Sequence, residues 1–282
     1  MSNVIVLISQ AQVSICTEST LSGVVNSKRI DKYTVLDSSL YQVIYEIEIV
    51  NDTAHRTQKE KDIQVLLVGK YVSKFYSRTL FESDSVCSAL ALKGRNYPSP
   101  PNSNIPPIEV FKNNTKNNLT ITYRTFCFGP TYLYVEDKIP FNWTVLSERK
   151  KVLTYDCQKA TCTFRGRDYI AWFTTEIPIS EGPYKFAGLP GLILQIYDTK
   201  GEFQYLCKGF QKTRTKLPIK LFSWKYEPTT RAKLNALLVR IHDRSLDFAK
   251  TSGIIVYKKS QTGAPELTTK NEPCPFNPIE LE

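Results

Sequence analysis

The strongest constraint on this chain is a short run, Leu192-Ile193-Leu194-Gln195-Ile196-Tyr197, entered through Gly188-Leu189-Pro190-Gly191. Side chains on a strand alternate between faces, so a run that is apolar on nearly both sides needs cover above and below. It reads as a central strand. Pro190 presets φ at the second position of a turn, and Gly191 is expected to supply the positive φ of a type II turn. Leu189 precedes a proline and is pushed extended. Asp198-Thr199-Lys200-Gly201 then turns the chain back into Phe203 to Cys207, where alternation resumes.

Upstream, Val152 to Cys157 and Cys162 to Thr175 read as strands, with Gln158 to Thr161 as a hairpin-sized loop between them. That reading sets Cys157 across a ladder from Cys162, where a disulfide fits if the Cβ vectors converge. In the second run Tyr169, Ala171, Phe173 and Thr175 share one face, and Ile170, Trp172, Thr174 and Glu176 the other.

These stretches carry a resemblance. Cys157-Gln158-Lys159-Ala160, Phe164-Arg165-Gly166-Arg167, Ala171-Trp172, Ile177-Pro178, Gly182-Pro183, Gly188 to Leu194 and Asp198 resemble the signature of the GLPGLI family. So do Leu67-Val68-Gly69, Ser73-Lys74-Phe75-Tyr76-Ser77 and the terminal Asn277-Pro278-Ile279-Glu280-Leu281. The resemblance covers nearly the whole chain. It implies an exported protein of the Bacteroidetes type, often encoded in several copies beside outer-membrane transporter genes. It implies a compartment rather than an activity.

Other features are consistent with export. Val4 to Ile8 is apolar, with Ser9 and Ala11 spaced for cleavage before Gln12, so residues 1–11 read as the remnant of a signal peptide and 12–282 as a single β-rich domain. The alternative for Val4 to Ile8 is an ordinary first strand. Seven cysteines suit an oxidising compartment. Their spacings, with only two histidines, do not resemble a zinc site, and no metal or cofactor is expected. Cys16, Cys87, Cys127, Cys207 and Cys274 stay unassigned. No run reaches the roughly 18–20 apolar residues of a transmembrane helix. A net charge of +10 points to acidic partners such as headgroups, glycans or an acidic protein face. No nucleic-acid motif accompanies it.

Tyr and Phe number 16 and 14 against a single Met, which favours sheet over helix. Tyr41 to Val50 alternates, and Ile63 to Ser77 reads as one longer strand region beyond a solvated loop that contains His55. Leu119 to Phe128 and Thr131 to Tyr134 are further strands. Asn96 to Pro107 is a proline-rich surface loop. Ser83 to Leu92 is a weak helical stretch. Pro228 to Lys250 is the convincing helix, capped by Thr229 or Thr230 and stopped by Gly253, with a last strand at Ile254 to Tyr257. The tail from Pro273 to Glu282 is expected to lie across the surface. The fold class is mainly β: a curved antiparallel sheet, an open half-barrel with one C-terminal helix packed on it.

No catalytic residue is assigned. There is no G-x-S-x-G, neither histidine adjoins a nucleophile, and His242 reads as an ordinary helix-surface residue. Asp168, Glu176, Glu181 and Asp198 fall in the same region and could supply a carboxylate pair, but Asp198 is explained by its turn and Glu181 by its loop. The binding candidates are Arg165, Arg167, Trp172, Phe186, Gly188, Leu189, Pro190 and Gly191. Arg165 and Arg167, on one face of one strand, suit an anionic ligand unless internal carboxylates such as Asp156 or Asp198 answer them. Trp172, Phe186 and Leu189 are expected to line an apolar pocket. The loop from Pro178 to Gly191 either carries function or only turns the chain. The expected function is a non-enzymatic periplasmic protein that binds an apolar or amphiphilic ligand, or a peptide, in the sheet's concavity. The alternative is an interaction partner of an outer-membrane transporter.

Overall fold

The computed structural model describes residues 25–95, 105–126, 129–252, 256–259 and 265–282. The signal-peptide reading of residues 1–11, Cys16, Cys127, most of the proline-rich loop and the Gly253 stop lie outside the described residues.

In chain order the structure begins with β1 (Tyr33–Ile49), β2 (Glu60–Gly69) and β3 (Val72–Ser77), then helix α1 (Arg78–Leu92). It continues through β4 (Ile108–Asn113), β5 (Asn118–Arg124), β6 (Thr131–Asp137), β7 (Thr144–Val152), β8 (Tyr155–Phe164) and β9 (Arg167–Thr174). After a long loop come β10 (Leu192–Asp198), β11 (Phe203–Lys212), β12 (Pro218–Phe222) and β13 (Tyr226–Pro228). Helices α2 (Arg231–Asp243) and α3 (Ser245–Thr251) and a small hairpin, β14 (Tyr257–Lys259) with β15 (Pro265–Leu267), complete it.

The first thirteen strands form one open sheet in the order β13-β6-β5-β4-β3-β2-β1-β11-β10-β9-β8-β7, with β12 added on β1. Nearly every pairing is antiparallel, but β13 runs parallel to β6, so the sheet is mixed. β10 lies between β9 and β11 as its two-sided apolar run requires, and Leu192, Ile193, Leu194 and Ile196 are wholly buried. The long β1 presents Val43, Tyr45, Ile47 and Ile49 to the core. The sheet curls: Glu136 near one end lies 3.5 Å from Arg165 near the other. Curling gives an inner face that holds the main core and an outer face with a second cluster, Val65, Leu67, Val72, Phe111 and Ile219.

Several expectations change. Three helices rather than one occur among the described residues. α1 is capped by Ser77, whose Oγ accepts from the Leu80 amide at 3.2 Å, and so starts five residues before the weak helical stretch. The expected C-terminal helix is broken into α2 and α3 at Arg244, whose φ of −122° and ψ of 53° leave the helical region. The region from Ile63 to Ser77 is two strands, β2 and β3, split at Lys70 and Tyr71.

The Cys157–Cys162 disulfide does not form, because β8 runs straight through the residues assigned to a loop. Five residues apart on one strand, the two thiols sit on opposite faces and roughly 16 Å apart. The turns lie on either side instead. Val152 pairs Tyr155, and Phe164 pairs Arg167 around a two-residue turn, Arg165-Gly166, with φ of 49° and 76°. Cys157, Cys162 and Cys207 are free and buried, which pushes their thiols up to about 11, 12 and 12. Thiols held protonated in this way react slowly.

Candidate functional site

The loop between β9 and β10, residues 175–191, folds back over the inner face. Its backbone is engaged: Ile177 O accepts from Leu192 N–H of β10 at 3.1 Å, Glu181 O from Ile193 N–H of β10 at 3.0 Å, and Phe186 N–H donates to Pro183 O at 3.1 Å. Two buried lysines hold it. Lys112, on β4, donates from Nζ to Glu181 Oε2, Gly182 O and Phe186 O, each at 2.8 Å. Glu181 also accepts from Ser73 Oγ at 2.8 Å. Burial pulls the Lys112 amine below its ordinary value, and Glu181 opposes that shift. Lys185, within the loop, lies 2.6 Å from both Glu136 on β6 and Glu280 in the tail.

The loop's signature residues are packing residues. Phe186 is wholly buried against Tyr169, with ring centroids 4.7 Å apart. Gly188 takes the left-handed conformation, at φ of +94°. Gly191 does not supply the positive φ expected of it; a Cβ there would lie 2.0 Å from Thr174 O, so glycine is required by close approach of two backbones. Gly191→Ala is therefore expected to destabilise by about 1–3 kcal/mol through overpacking. A denaturant melt measures this, with Gly209→Ala as the comparison for a glycine outside the left-handed region whose added Cβ meets nothing within 4 Å.

Arg167 and the tail form a second buried cluster. The guanidinium donates to Glu202 Oε2 at 2.7 Å, Asp198 Oδ2 at 3.2 Å, Asn277 Oδ1 at 2.6 Å and Pro278 O at 2.7 Å. Asn277 Nδ2 donates onward to Val50 O at 2.8 Å. The terminal stretch therefore does not lie across the surface; Cys274, Asn277 and Glu280 are buried, and the tail packs into the concavity. Two distant stretches that carry the family resemblance meet here. His242 is also not a helix-surface residue. It is buried, its Nδ1 lies 2.7 Å from Leu238 O, and its ring stacks on Phe276 of the tail at 4.2 Å. Burial lowers its pKa.

The two arginines are not neighbours on one strand face. Arg165 is in the hairpin turn and Arg167 opens β9; Asp198 and Glu202 hydrogen-bond Arg167, whereas Glu136 and Glu280 stand 3.5 and 3.9 Å from Arg165, close enough to pair with its charge only loosely. Nor do Trp172, Phe186 and Leu189 line one pocket. Trp172 sits an odd number of residues from Tyr169, hence on the other face of β9 from Phe186, with the Lys150 amine 4.3 Å from its ring centroid. Leu189 is buried in the core.

Loop, tail and α2 together fill the concavity. The cavity left between them, bordered by Tyr123, Tyr205, Leu234, Leu238 and Phe276, is about 60 Å³. That has room for a few waters, against roughly 300–1,000 Å³ for a small-molecule site. Beside the loop is a cleft of about 320 Å³. Gly188, Phe164, Arg165, Phe141, Ile139 and Lys138 border it. Trp143 buttresses it, donating from Nε1 to Ala187 O at 2.9 Å and stacking on Phe141. Other grooves, of about 500 and 560 Å³, do not border the loop. Among the described residues no group of three His, Cys, Asp or Glu side chains could hold a metal ion, and no helix is long and apolar enough to cross a membrane.

Sequence reasoning missed Lys112, Lys185, Glu136, Glu202 and Lys138. One signal was present: Lys112 follows Val110-Phe111 at the inward phase of a short apolar strand, where an unpaired lysine would be costly.

Residues 166–195, from the hairpin turn through β9 and the loop into β10, match the family model described as "Protein of unknown function (Porph_ging)". The chain is also similar to the solved structure of PNGF-II in the P21 space group, with 13% identity, a TM-score of 0.46, and coverage of 73% of this chain and 34% of that one. For PNGF-II in the C2 space group the values are 12%, 0.47, 73% and 33%. This chain thus spans about a third of the length of those solved chains. No curated protein matches it.

Proposed function

We propose that this chain is a non-enzymatic protein of the cell envelope that holds an amphiphilic ligand or a peptide segment in the cleft beside Gly188, not in the sheet's concavity. The observation that carries this reading is the cleft's composition. An apolar wall of Leu119, Ile139, Pro140, Phe141 and Phe164 meets cationic groups at Lys138 and Arg165, in a volume of about 320 Å³. A non-enzymatic role is supported by the buried ion clusters, whose charged groups are engaged by one another. The resemblance to an exported family supports the compartment.

The test is titration of the purified protein with an uncharged amphiphile, decanamide, followed by Trp143 fluorescence. Saturable binding is expected. Ile139→Asp, at a side chain 45% exposed on the cleft rim, is expected to weaken it at least tenfold without altering the melt. Saturable binding unchanged by Ile139→Asp would place the ligand elsewhere, and no binding by any amphiphile or short peptide would remove the reading.

A second reading, docking to an outer-membrane transporter, is favoured by β7. This strand ends the sheet and carries Arg149, Lys150 and Lys151 along its exposed length. Strand edges of this kind accept an added strand, although edge lysines also discourage it.

A further inference from the structure

We propose that the cleft beside Gly188 recognises a carboxylate, with Lys138 and Arg165 as the two groups that bind it and the aromatic wall holding the ligand's apolar body. This rests on the cleft being the binding site and adds the chemical class of ligand.

Four cations border the cleft: Lys112, Lys138, Arg165 and Lys185. Two are fully engaged inside the protein. Lys112 has three acceptors at 2.8 Å, and Lys185 has Glu136 and Glu280 at 2.6 Å with Tyr134 Oη at 3.3 Å. An ammonium has three donors, so neither has any left for a ligand.

The other two are under-used. Lys138 donates to Asn114 Oδ1 at 2.6 Å, and among the described residues no carboxylate lies within ion-pairing distance of its amine. Half-burial disfavours its charged form, and the Glu181 charge, set against that of Lys112, does not offset this; an added anion would relieve it. Arg165 reaches Glu136 only at 3.5 Å and Glu280 at 3.9 Å, and its buried Nε has no hydrogen-bond partner. A guanidinium and an ammonium with donors to spare match the two oxygens of a carboxylate. Glu136 and Asp137 also border the cleft, which disfavours ligands of higher negative charge such as a phosphate dianion. Phe141 and Phe164, with ring centroids 4.7 Å apart, supply the wall for an acyl or aromatic body.

Four probes test this by Trp143 fluorescence and calorimetry: decanoate, decanamide, acetyl-Leu-Phe with a free carboxylate, and its amide. At least one carboxylate is expected to bind about tenfold more tightly than its amide, the worth of a charge-assisted hydrogen bond. The arm that shows it tells whether the source is acyl or peptidic. Lys138→Met and Arg165→Asn should each erase most of that preference, while Lys138→Arg should keep it. Asparagine suits position 165 because it tolerates φ of +49°. Equal binding of acid and amide would overturn the carboxylate assignment and leave the amphiphile reading standing. So would a preference that survives both substitutions in variants with unchanged melts. Failure of all four probes would overturn both.

Discussion

Arg167→Met should lower stability by about 3–5 kcal/mol, the cost of leaving buried carboxylates without their cation. For a chain of this size each kcal/mol corresponds to roughly 2 °C, so a melting point about 6–10 °C lower is expected. The geometry explains the size of the effect. One guanidinium joins Asp198 and Glu202, at the β10–β11 turn, to Asn277 and Pro278 in the tail. Removing it leaves Asp198, 2% exposed, with backbone donors alone, leaves Glu202, 6% exposed, with only the half-exposed Arg56 as its cation, and cuts the tie between the tail and β9. A loss under 1 kcal/mol would mean that the tail is not anchored there.

The same cluster sets an acid dependence. Burial works against ionisation of Glu202, but hydrogen bonds from Arg167 and Asn277 and the Arg167 charge outweigh it and hold the carboxyl below its ordinary value. A carboxyl depressed in the folded state stabilises above its unfolded pKa, and that contribution fades as pH falls through the folded value. The stability gap between wild type and Glu202→Gln is therefore expected to be full at neutral pH and to narrow below about pH 4. Denaturant melts across pH 2–7 would show the gap, and one that widened toward acid would contradict the assignment.

Lys112→Met is the second large effect, also about 3–5 kcal/mol. The amine is 1% exposed and ties β4 to Glu181, Gly182 and Phe186, so its loss leaves Glu181 buried with only Ser73 as a side-chain donor. The double variant Lys112→Met/Glu181→Gln should recover more than half of the loss, because the carboxylate it neutralises is the source of the cost. Additive losses would show that the two do not act as a pair.

The strands were legible wherever one face is buried and the other is not. The second half of β1, β9 and the first half of β11 follow from alternation, and β10 from having none. What failed was local punctuation. Gln158, Lys159 and Thr161 carry polar side chains, yet β8 continues through them because its neighbours β7 and β9 supply partners on both sides. Arg165-Gly166 was the true turn, with only Gly166 to mark it. The tail looked like surface because proline and asparagine are usually exposed; their partners, Arg167 and Val50, lie more than a hundred residues away in sequence. The cleft was out of reach for the same reason. Gly188 and Arg165 were singled out as site residues, but Lys138, Ile139 and Phe141 join them only when the sheet curls its two ends together.

Hydrogen exchange would decide whether the loop and tail are fixed parts of the core. The amides of Glu181, Phe186, Leu192 and Ile193, together with those of Cys274 and Leu281, are all donated within the protein. They should exchange as slowly as the β10 interior, and far more slowly than the exposed stretch between β1 and β2. If residues 177–191 and 274–282 instead exchanged at the rate of that exposed stretch, the concavity would be open to ligands and its filling by the chain itself would be refuted.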